Sequence, residues 1–184
     1  MILDTLFRKR RLDTPTGLIY GALVAQARDP WFYGELGVPD TVEGRFEMIA
    51  LHGFLVLNRL KTEKHDGEQL GQAIFDLMFA DMDRNLREMG VGDLGIAKRV
   101  KALIKGFYGR IKAYEEGLSG AGGLLAAALD RNVFAGAAVD GAAQALAAYL
   151  QDSIACLREV SLEVMMGGRL AFAPPSLAVG GPDE

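Results

Sequence analysis

The carboxylates near the middle of the chain are the residues most suited to metal binding or acid–base chemistry. Asp76, Asp81 and Asp83 lie within about two helical turns of each other, and several carboxylate oxygens in one place bind hard cations. On a helix, however, Asp81 and Asp83 point about 200° apart, so the two could share an ion only with ligands from other elements. We therefore predict no metal site in this segment.

The same segment carries basic residues at a spacing typical of intrahelical ion pairs. Asp83 precedes Arg87 by four residues, and Arg84 precedes Glu88 by four, and side chains at this distance face each other on a helix. So many charges on one helix suggest that some of them face a binding partner. The resulting partner-binding candidates are Asp81, Asp83, Arg84, Arg87 and Glu88.

Other residues that could support catalysis are sparse. The single cysteine, Cys156, excludes an internal disulfide, and with only His52 and His65 the chain has few ligands for a zinc site. His52 lies in an apolar segment, so we interpret it as a core or boundary residue that holds one hydrogen bond. No phosphate-binding loop or dinucleotide fingerprint is present. We predict no catalytic residue, no metal and no cofactor, and hence a protein that is not an enzyme.

Three consecutive aromatic residues, Trp31, Phe32 and Tyr33, form a second candidate surface. On a helical turn they point in three directions and cannot all enter one core, so at least one is expected to be exposed and available to an apolar partner. The alternative is a segment in a crevice between two helices, with all three rings buried.

The elements that must position these residues are helices. The chain has 184 residues, a formal net charge of −4 and 50% hydrophobic residues, which is typical of one ordinary globular domain and argues against DNA binding. Apolar residues recur with helical periodicity, and we predict an all-α, single-domain bundle of about six to seven helices. In the predicted helix from Asp93 they form a heptad-spaced apolar seam of Ala97, Val100, Ile104, Phe107, Ile111, Tyr114 and Leu118. Caps are expected at Thr14, Asp40 and Asp93 and a turn at residues 65–67, with helices from 41 to 60, 68 to 89, 93 to 118, 121 to 130 and 137 to 158.

The predicted helix from Asp93 carries a basic edge. Lys98, Lys105 and Lys112 are each seven residues apart, and Lys101 belongs to the same set; we call these four residues the lysine stripe. A solvated face would explain it, and so would contact with anionic lipid, RNA or an acidic protein.

A second basic feature lies at the N-terminus, where apolar residues within 2–7 precede the cations Arg8, Lys9, Arg10 and Arg11, as in an interfacial membrane anchor. The expected organisation is a basic amphipathic segment at 1–13, a helical domain at 14–172 and a flexible tail at 173–184.

Long sequence motifs resemble a known family. The stretch FDLMFADMDRNLREMGVGD at 75–93, KRVK at 98–101 and FYGRIKAY at 107–114 resemble the ubiquinol–cytochrome c chaperone family, in a form of bacterial type, and shorter motifs extend the similarity over residues 14–118. The resemblance implies an all-helical, non-enzymatic assembly factor that binds newly made cytochrome b before its incorporation into the bc1 complex. It adds Phe107, Tyr108 and Arg110 to the partner-binding candidates.

No stretch of the sequence is typical of a transmembrane helix or of a secretory signal, which favours a cytoplasmic location. A client that is a membrane protein must be met at the bilayer, so we expect a cytoplasmic protein that lies peripherally on the cytoplasmic face of the inner membrane, where the basic residues contact anionic lipid. The ribosome and a second assembly factor are further candidate partners. The competing hypothesis is an RNA- or ribosome-binding helical module that uses the lysine stripe to contact phosphates.

Overall fold

The computed structural model describes residues 13–90, 92–120 and 123–177, and these residues form helices joined by loops, without a β-strand among them. The all-α prediction is confirmed. Six longer helices and two short ones are present in the described part, with one 3-10 turn at Lys61–Glu63. In chain order they are α1 (Pro15–Ala27), α2 (Pro30–Gly34), α3 (Val42–Leu60), α4 (Lys64–Glu88), α5 (Asp93–Ser119), α6 (Leu124–Val133), α7 (Ala142–Arg158) and α8 (Leu162–Met166).

Side-chain caps begin several of these helices. The Thr14 hydroxyl accepts a hydrogen bond from the Gly17 amide at 3.1 Å, as predicted, and Thr41 does the same for the Gly44 amide at 3.1 Å. The prediction that Asp40 caps α3 is therefore wrong by one residue: its carboxylate pairs with a side chain of α3 instead. A hydroxyl and a carboxylate both suit a cap, and the backbone geometry decided between two adjacent candidates.

Two predicted helix boundaries are wrong. Residues 65–67 are helical, because the chain turns earlier, at Lys64 with φ 50°. Gly67 is needed for close packing: a Cβ there would lie 2.1 Å from the Leu60 carbonyl oxygen. The predicted helix end at residue 130 is too early, because α6 continues to Val133, and the chain leaves the helix at 134–141, where Gly136 and Gly141 have positive φ.

The cap predicted at Asp93 is also displaced. Gly92 occupies the cap position without a side-chain hydrogen bond, and Asp93 is the first residue of α5, where a carboxylate is favourable beside the helix N-terminus. The apolar seam predicted along α5 is confirmed at Phe107 and Tyr114, which are buried. At its N-terminal end the seam is shifted by one residue, since Ile96 is buried and Ala97 is exposed.

Helix α3 lies at the centre of the fold and contacts α1, α4, α5, α6 and α7. It contributes to two apolar clusters. In one, Met48 and Leu51 pack with residues of α2, α6 and α7; in the other, Ala50 and Val56 pack with residues of α1, α4 and α5. Burying apolar side chains on all sides of α3 is the main force that holds the other helices around it.

The chain after α8 packs against the bundle. Ala173 is buried, its amide donates to the Ser153 hydroxyl at 3.1 Å, and the Phe172 ring lies 5.1 Å from that of His52. Residues 178–184 of the predicted tail, and residues 1–12 of the predicted N-terminal segment, lie outside the described residues.

Candidate partner-binding surface

A groove of about 220 Å³ opens between helices α3, α4 and α5; we call it the α4–α5 groove. Its floor is apolar and its rim is polar and charged. The floor residues are Leu57, Leu60, Phe75, Phe107 and Ile111, and the rim and walls are formed by Lys61, Gly67, Glu68, Gly71, Gln72 and Tyr108. Concave apolar surface with a few polar groups at its edge is typical of binding sites.

The antiparallel hairpin of α4 and α5 forms the two walls. Near the loop that joins them, Arg87 of α4 pairs with Asp93 of α5. In the middle, Phe75 contacts Tyr108, with ring centroids 5.6 Å apart. From the loop outward, the residue numbers fall along α4 and rise along α5. The two helices therefore run antiparallel and stay in contact over several turns.

Aromatic rings connect the floor to the surface. Phe75 lies 4.7 Å from Phe79 and 5.9 Å from Phe107 between ring centroids. Phe107 has no exposed surface, whereas Tyr108 is 57% exposed. Phe107 is therefore a core residue that supports the groove and is not itself available to a partner, which corrects its place among the candidates. Tyr108 has the exposure that a partner-binding residue needs.

Arg110 faces the interior of the bundle. Its Nε and Nη2 donate to the two carboxylate oxygens of Glu47 on α3, and its guanidinium lies 5.4 Å above the centre of the Phe46 ring. The side chains of Arg110 and Glu47 are 19% and 8% exposed. Burial raises the pKa of Glu47, and the guanidinium opposes that rise. Arg110 thus joins α5 to α3, and its role in partner binding stays a prediction.

The charged set on α4 forms ion pairs, although not all of the predicted ones. Arg87 donates to Asp83 at 2.7 Å, as its spacing predicted. Arg84 pairs with Asp81 instead of Glu88, because the Tyr20 hydroxyl of α1 donates to Asp81 at 3.0 Å and holds that carboxylate in place.

The remaining member of the set, Glu88, is exposed and forms no ion pair within the described ranges. Exposed pairs of this kind contribute about 0–1 kcal/mol each, so stability alone does not account for the whole charged set. Its role in partner binding stays a prediction.

The lysine stripe lies on the exposed side of α5. Lys112 is 3.7 Å from the Glu116 carboxylate, and Lys98, Lys101 and Lys105 have no ion pair with any described residue. Tyr108 follows Lys101 by seven residues and Lys105 by three, and precedes Lys112 by four, so it lies within the stripe. Sequence reasoning treated the tyrosine and the lysines separately, although their helical spacing alone could have joined them. The basic residues 8–11 lie outside the described part of the chain.

The three consecutive aromatic residues differ in how deeply they are buried. Phe32 is fully buried, and its ring centroid lies 5.1 Å from that of Tyr149 and 5.5 Å from that of His52. Trp31 and Tyr33 are half-buried, and the Tyr33 hydroxyl donates to the Ala27 carbonyl at 2.8 Å. All three rings pack in or against the same apolar cluster, and none of them is exposed, so the expected exposed ring is not found. Phe32 is unavailable to a partner, and a role for Trp31 and Tyr33 in partner binding stays a prediction.

His52 lies in a fully buried site. Its Nδ1 donates to the Met48 carbonyl at 2.8 Å, and its Nε2 accepts from the Tyr149 hydroxyl at 2.8 Å. Burial lowers its pKa to about 4, so the imidazole is neutral at pH 7. The prediction of a core histidine is confirmed, with two hydrogen bonds where one was expected.

The described residues contain no group of three or more His, Cys, Asp or Glu side chains that could hold a metal ion. Among the helices described, none has the length and apolar character needed to cross a bilayer.

Comparisons with known proteins place these features in context. The mouse protein named ubiquinol–cytochrome c reductase complex assembly factor 1 is 30% identical over 116 residues, which is 63% of this chain and 39% of the mouse protein. The Saccharomyces cerevisiae mitochondrial protein CBP3 is 29% identical over 154 residues, covering 81% of this chain and 46% of the yeast protein. The chain thus spans less than half the length of these two curated relatives.

A solved structure is similar over nearly the whole fold. The crystal structure of the Cbp3 homolog from Brucella abortus has a TM-score of 0.77 and 40% sequence identity, covering 95% of this chain and 97% of that one. The model of the family described as ubiquinol–cytochrome c chaperone matches residues 34–172. A chaperone family agrees with the prediction that the protein is not an enzyme. The chain belongs to the ubiquinol–cytochrome c chaperone family.

Proposed function

We propose that this protein is a chaperone for assembly of the ubiquinol–cytochrome c reductase (bc1) complex, and that its client is cytochrome b or an early assembly intermediate that contains it. The family match over residues 34–172 is the observation that carries this proposal. It spans α3 to α8 and therefore includes both walls of the α4–α5 groove.

The chemistry of the groove supports a binding role. A chaperone must hold an apolar segment of its client and then release it, which requires an exposed apolar surface of limited size. The α4–α5 groove supplies an apolar floor with exposed Tyr108 at its edge. We propose this groove, with the exposed charges of α4 and α5 around it, as the client-binding surface.

A strain deleted for the gene tests the role in assembly. We expect the amount of assembled, haem-loaded bc1 complex to fall, while transcripts of its subunits stay at their normal level. Pull-down from solubilised membranes with the full chain as bait should enrich cytochrome b. Normal amounts of assembled complex in the deletion strain would contradict the proposal.

We further propose peripheral association with the cytoplasmic face of the inner membrane, supported by the basic residues 8–11. Each basic residue near an anionic surface contributes about 1 kcal/mol, so binding should be weak and sensitive to salt. Flotation with anionic and neutral liposomes, with the full chain and with a chain lacking residues 1–11, measures it. Flotation that the truncation leaves unchanged would remove this segment from the membrane contact.

The RNA- or ribosome-binding module is the second candidate, and it is favoured by the exposed lysines Lys98, Lys101 and Lys105, which have no ion pair among the described residues. Phosphate contacts release counterions, so an affinity for RNA that falls steeply with salt would support this alternative. If no direct binding to RNA is detected at low salt, contact with the ribosome or with a second assembly factor would have to be made through protein surfaces.

A further inference from the structure

We propose that the α4–α5 groove holds one amphipathic helix of a partner protein, with an apolar stripe, one acidic flank and one basic flank. Where it identifies the partner helix as part of a chaperone client, this inference rests on the proposed function. Its physical basis, however, is the charge and shape of the groove itself.

The length of the groove suits a helix of about two turns. Its lining residues extend from Gly67 to Phe75 on α4 and from Phe107 to Ile111 on α5, and the stretch on α4 is about 12 Å long at 1.5 Å per residue. Half-buried Phe75 and exposed Tyr108 present ring surface at the opening. Helices bind such grooves through apolar residues spaced three or four positions apart.

The two helices that border the groove carry opposite charge on their exposed faces. On α4, Glu68, Gln72 and Asp76 follow each other at intervals of four residues, and all three are exposed; the Gln72 amide donates to Asp76 at 2.8 Å. Glu68 lines the groove, as does Lys61, whose charge is paired with Glu115. On α5, Lys101 and Lys105 are exposed in the two turns before Tyr108, without an ion-pair partner among the described residues.

This pattern favours a protein helix over a bilayer or an RNA. Both of those surfaces are uniformly anionic, so an approach to the lysines of α5 would also bring phosphates against Glu68 and Asp76 on α4. A helix with flanks of opposite sign satisfies both walls at once. Turning the helix end for end exchanges its flanks, so the charges of the groove also select the direction in which the partner helix lies.

The test uses three synthetic helical peptides with the same apolar stripe and with flanks that are acidic and basic, acidic on both sides, or basic on both sides. Their affinity for the full chain is measured by fluorescence anisotropy at low salt. We expect the peptide with unlike flanks to bind about three- to tenfold more tightly than either other peptide, as one or two exposed ion pairs would provide.

Charge reversal of one wall should change this preference. With Lys101→Glu and Lys105→Glu both walls are acidic, and the peptide that is basic on both flanks should become the tightest ligand. The matched control, Arg131→Glu with Arg158→Glu, makes the same change of charge at exposed residues of α6 and α7 and should leave the order of affinities unchanged. Tyr108→Ala should weaken all three peptides. Circular dichroism verifies that each variant is folded.

Several results would overturn the inference. Equal affinity for the three peptides, no binding of any, or an order that charge reversal does not alter would each do so. A different occupant of the groove would also overturn it. A second copy of this chain would be detected as a dimer that Tyr108→Ala dissociates. Residues 1–12 would be detected if the peptides bind only after these residues are removed. Loss of binding to anionic vesicles on charge reversal, with peptide binding unchanged, would assign the lysines to lipid. The assembly phenotype of the deletion strain is measured separately, so each proposal can fail alone.

Discussion

Lowering the pH from 7 to 4 is expected to destabilise this protein through His52, the fully buried histidine of α3. Its Nδ1–H donates to the Met48 carbonyl, and its Nε2 accepts from the Tyr149 hydroxyl. Protonation of Nε2 would direct a second N–H at that hydroxyl and place a charge in a site closed to water. Burial therefore lowers the pKa of His52 from the ordinary 6.5 to about 4.

The sign follows from proton uptake by the two states. In the unfolded chain His52 takes up a proton near pH 6.5, whereas in the folded protein it does so only near pH 4, so the unfolded state binds more protons between these values. The stabilisation is complete above pH 6.5 and is lost as the pH falls towards 4. At about 1.36 kcal/mol per pH unit, this amounts to on the order of 3 kcal/mol, a large part of the typical total of about 5–15 kcal/mol.

The assay is denaturant unfolding between pH 7.5 and 4.5 for the wild type, His52→Gln and His65→Gln. His52→Gln cannot titrate, so its deficit in unfolding free energy relative to the wild type should be greatest at neutral pH and should shrink by about 2–3 kcal/mol on acidification. His65 is exposed on α4, so His65→Gln should follow the wild type. Apart from His52 and His65, the three proteins have the same titrating groups, so the contributions of these groups to the unfolding free energy cancel in the comparison.

A deficit of His52→Gln that stays constant from pH 7.5 to 4.5 would refute this reasoning. So would an NMR titration in which the imidazole of His52 in the folded protein takes up its proton near pH 6.5. Either result would mean that the site admits water or rearranges to accept the charge.

Further substitutions test the packing within and between the helices, each measured as a change in unfolding free energy. Arg110→Ala should cost about 3 kcal/mol because it leaves the buried carboxylate of Glu47 without its partner, and a cost below about 1 kcal/mol would show that water replaces the guanidinium. Phe107→Ala should cost about 3–5 kcal/mol through the cavity it leaves; a small cost would contradict its place in the core. Gly44→Ala should destabilise, since its Cβ would lie 1.9 Å from a backbone carbonyl oxygen, whereas Gly109→Ala, with nothing within 4 Å, should stabilise α5 by up to about 1 kcal/mol. Equal effects of the two glycine substitutions would contradict these contacts.

Much of the candidate site could be predicted one helix at a time. The exposure of the lysine stripe follows from its spacing on α5, and the burial of Phe107 and Tyr114 follows from the apolar seam on the same helix. Assigning Phe107 to a partner surface was wrong because the resemblance identified a motif, and a motif does not distinguish the residues that support a surface from those that form it. The adjacent Tyr108 lies on that surface because consecutive helical residues point about 100° apart.

The sequence by itself determined the helical class, the main helices and the family, because apolar periodicity and motif order are properties of the chain read along one dimension. Only the tertiary structure decided which side chains meet. Arg84 pairs with Asp81 because Tyr20 approaches from another helix, and Gly67 serves helix packing, not a turn, because the end of α3 leaves no room for a Cβ. The α4–α5 groove exists because an antiparallel hairpin brings Phe75 beside Tyr108. Such contacts depend on the positions of whole helices, and no local pattern in the sequence specifies them.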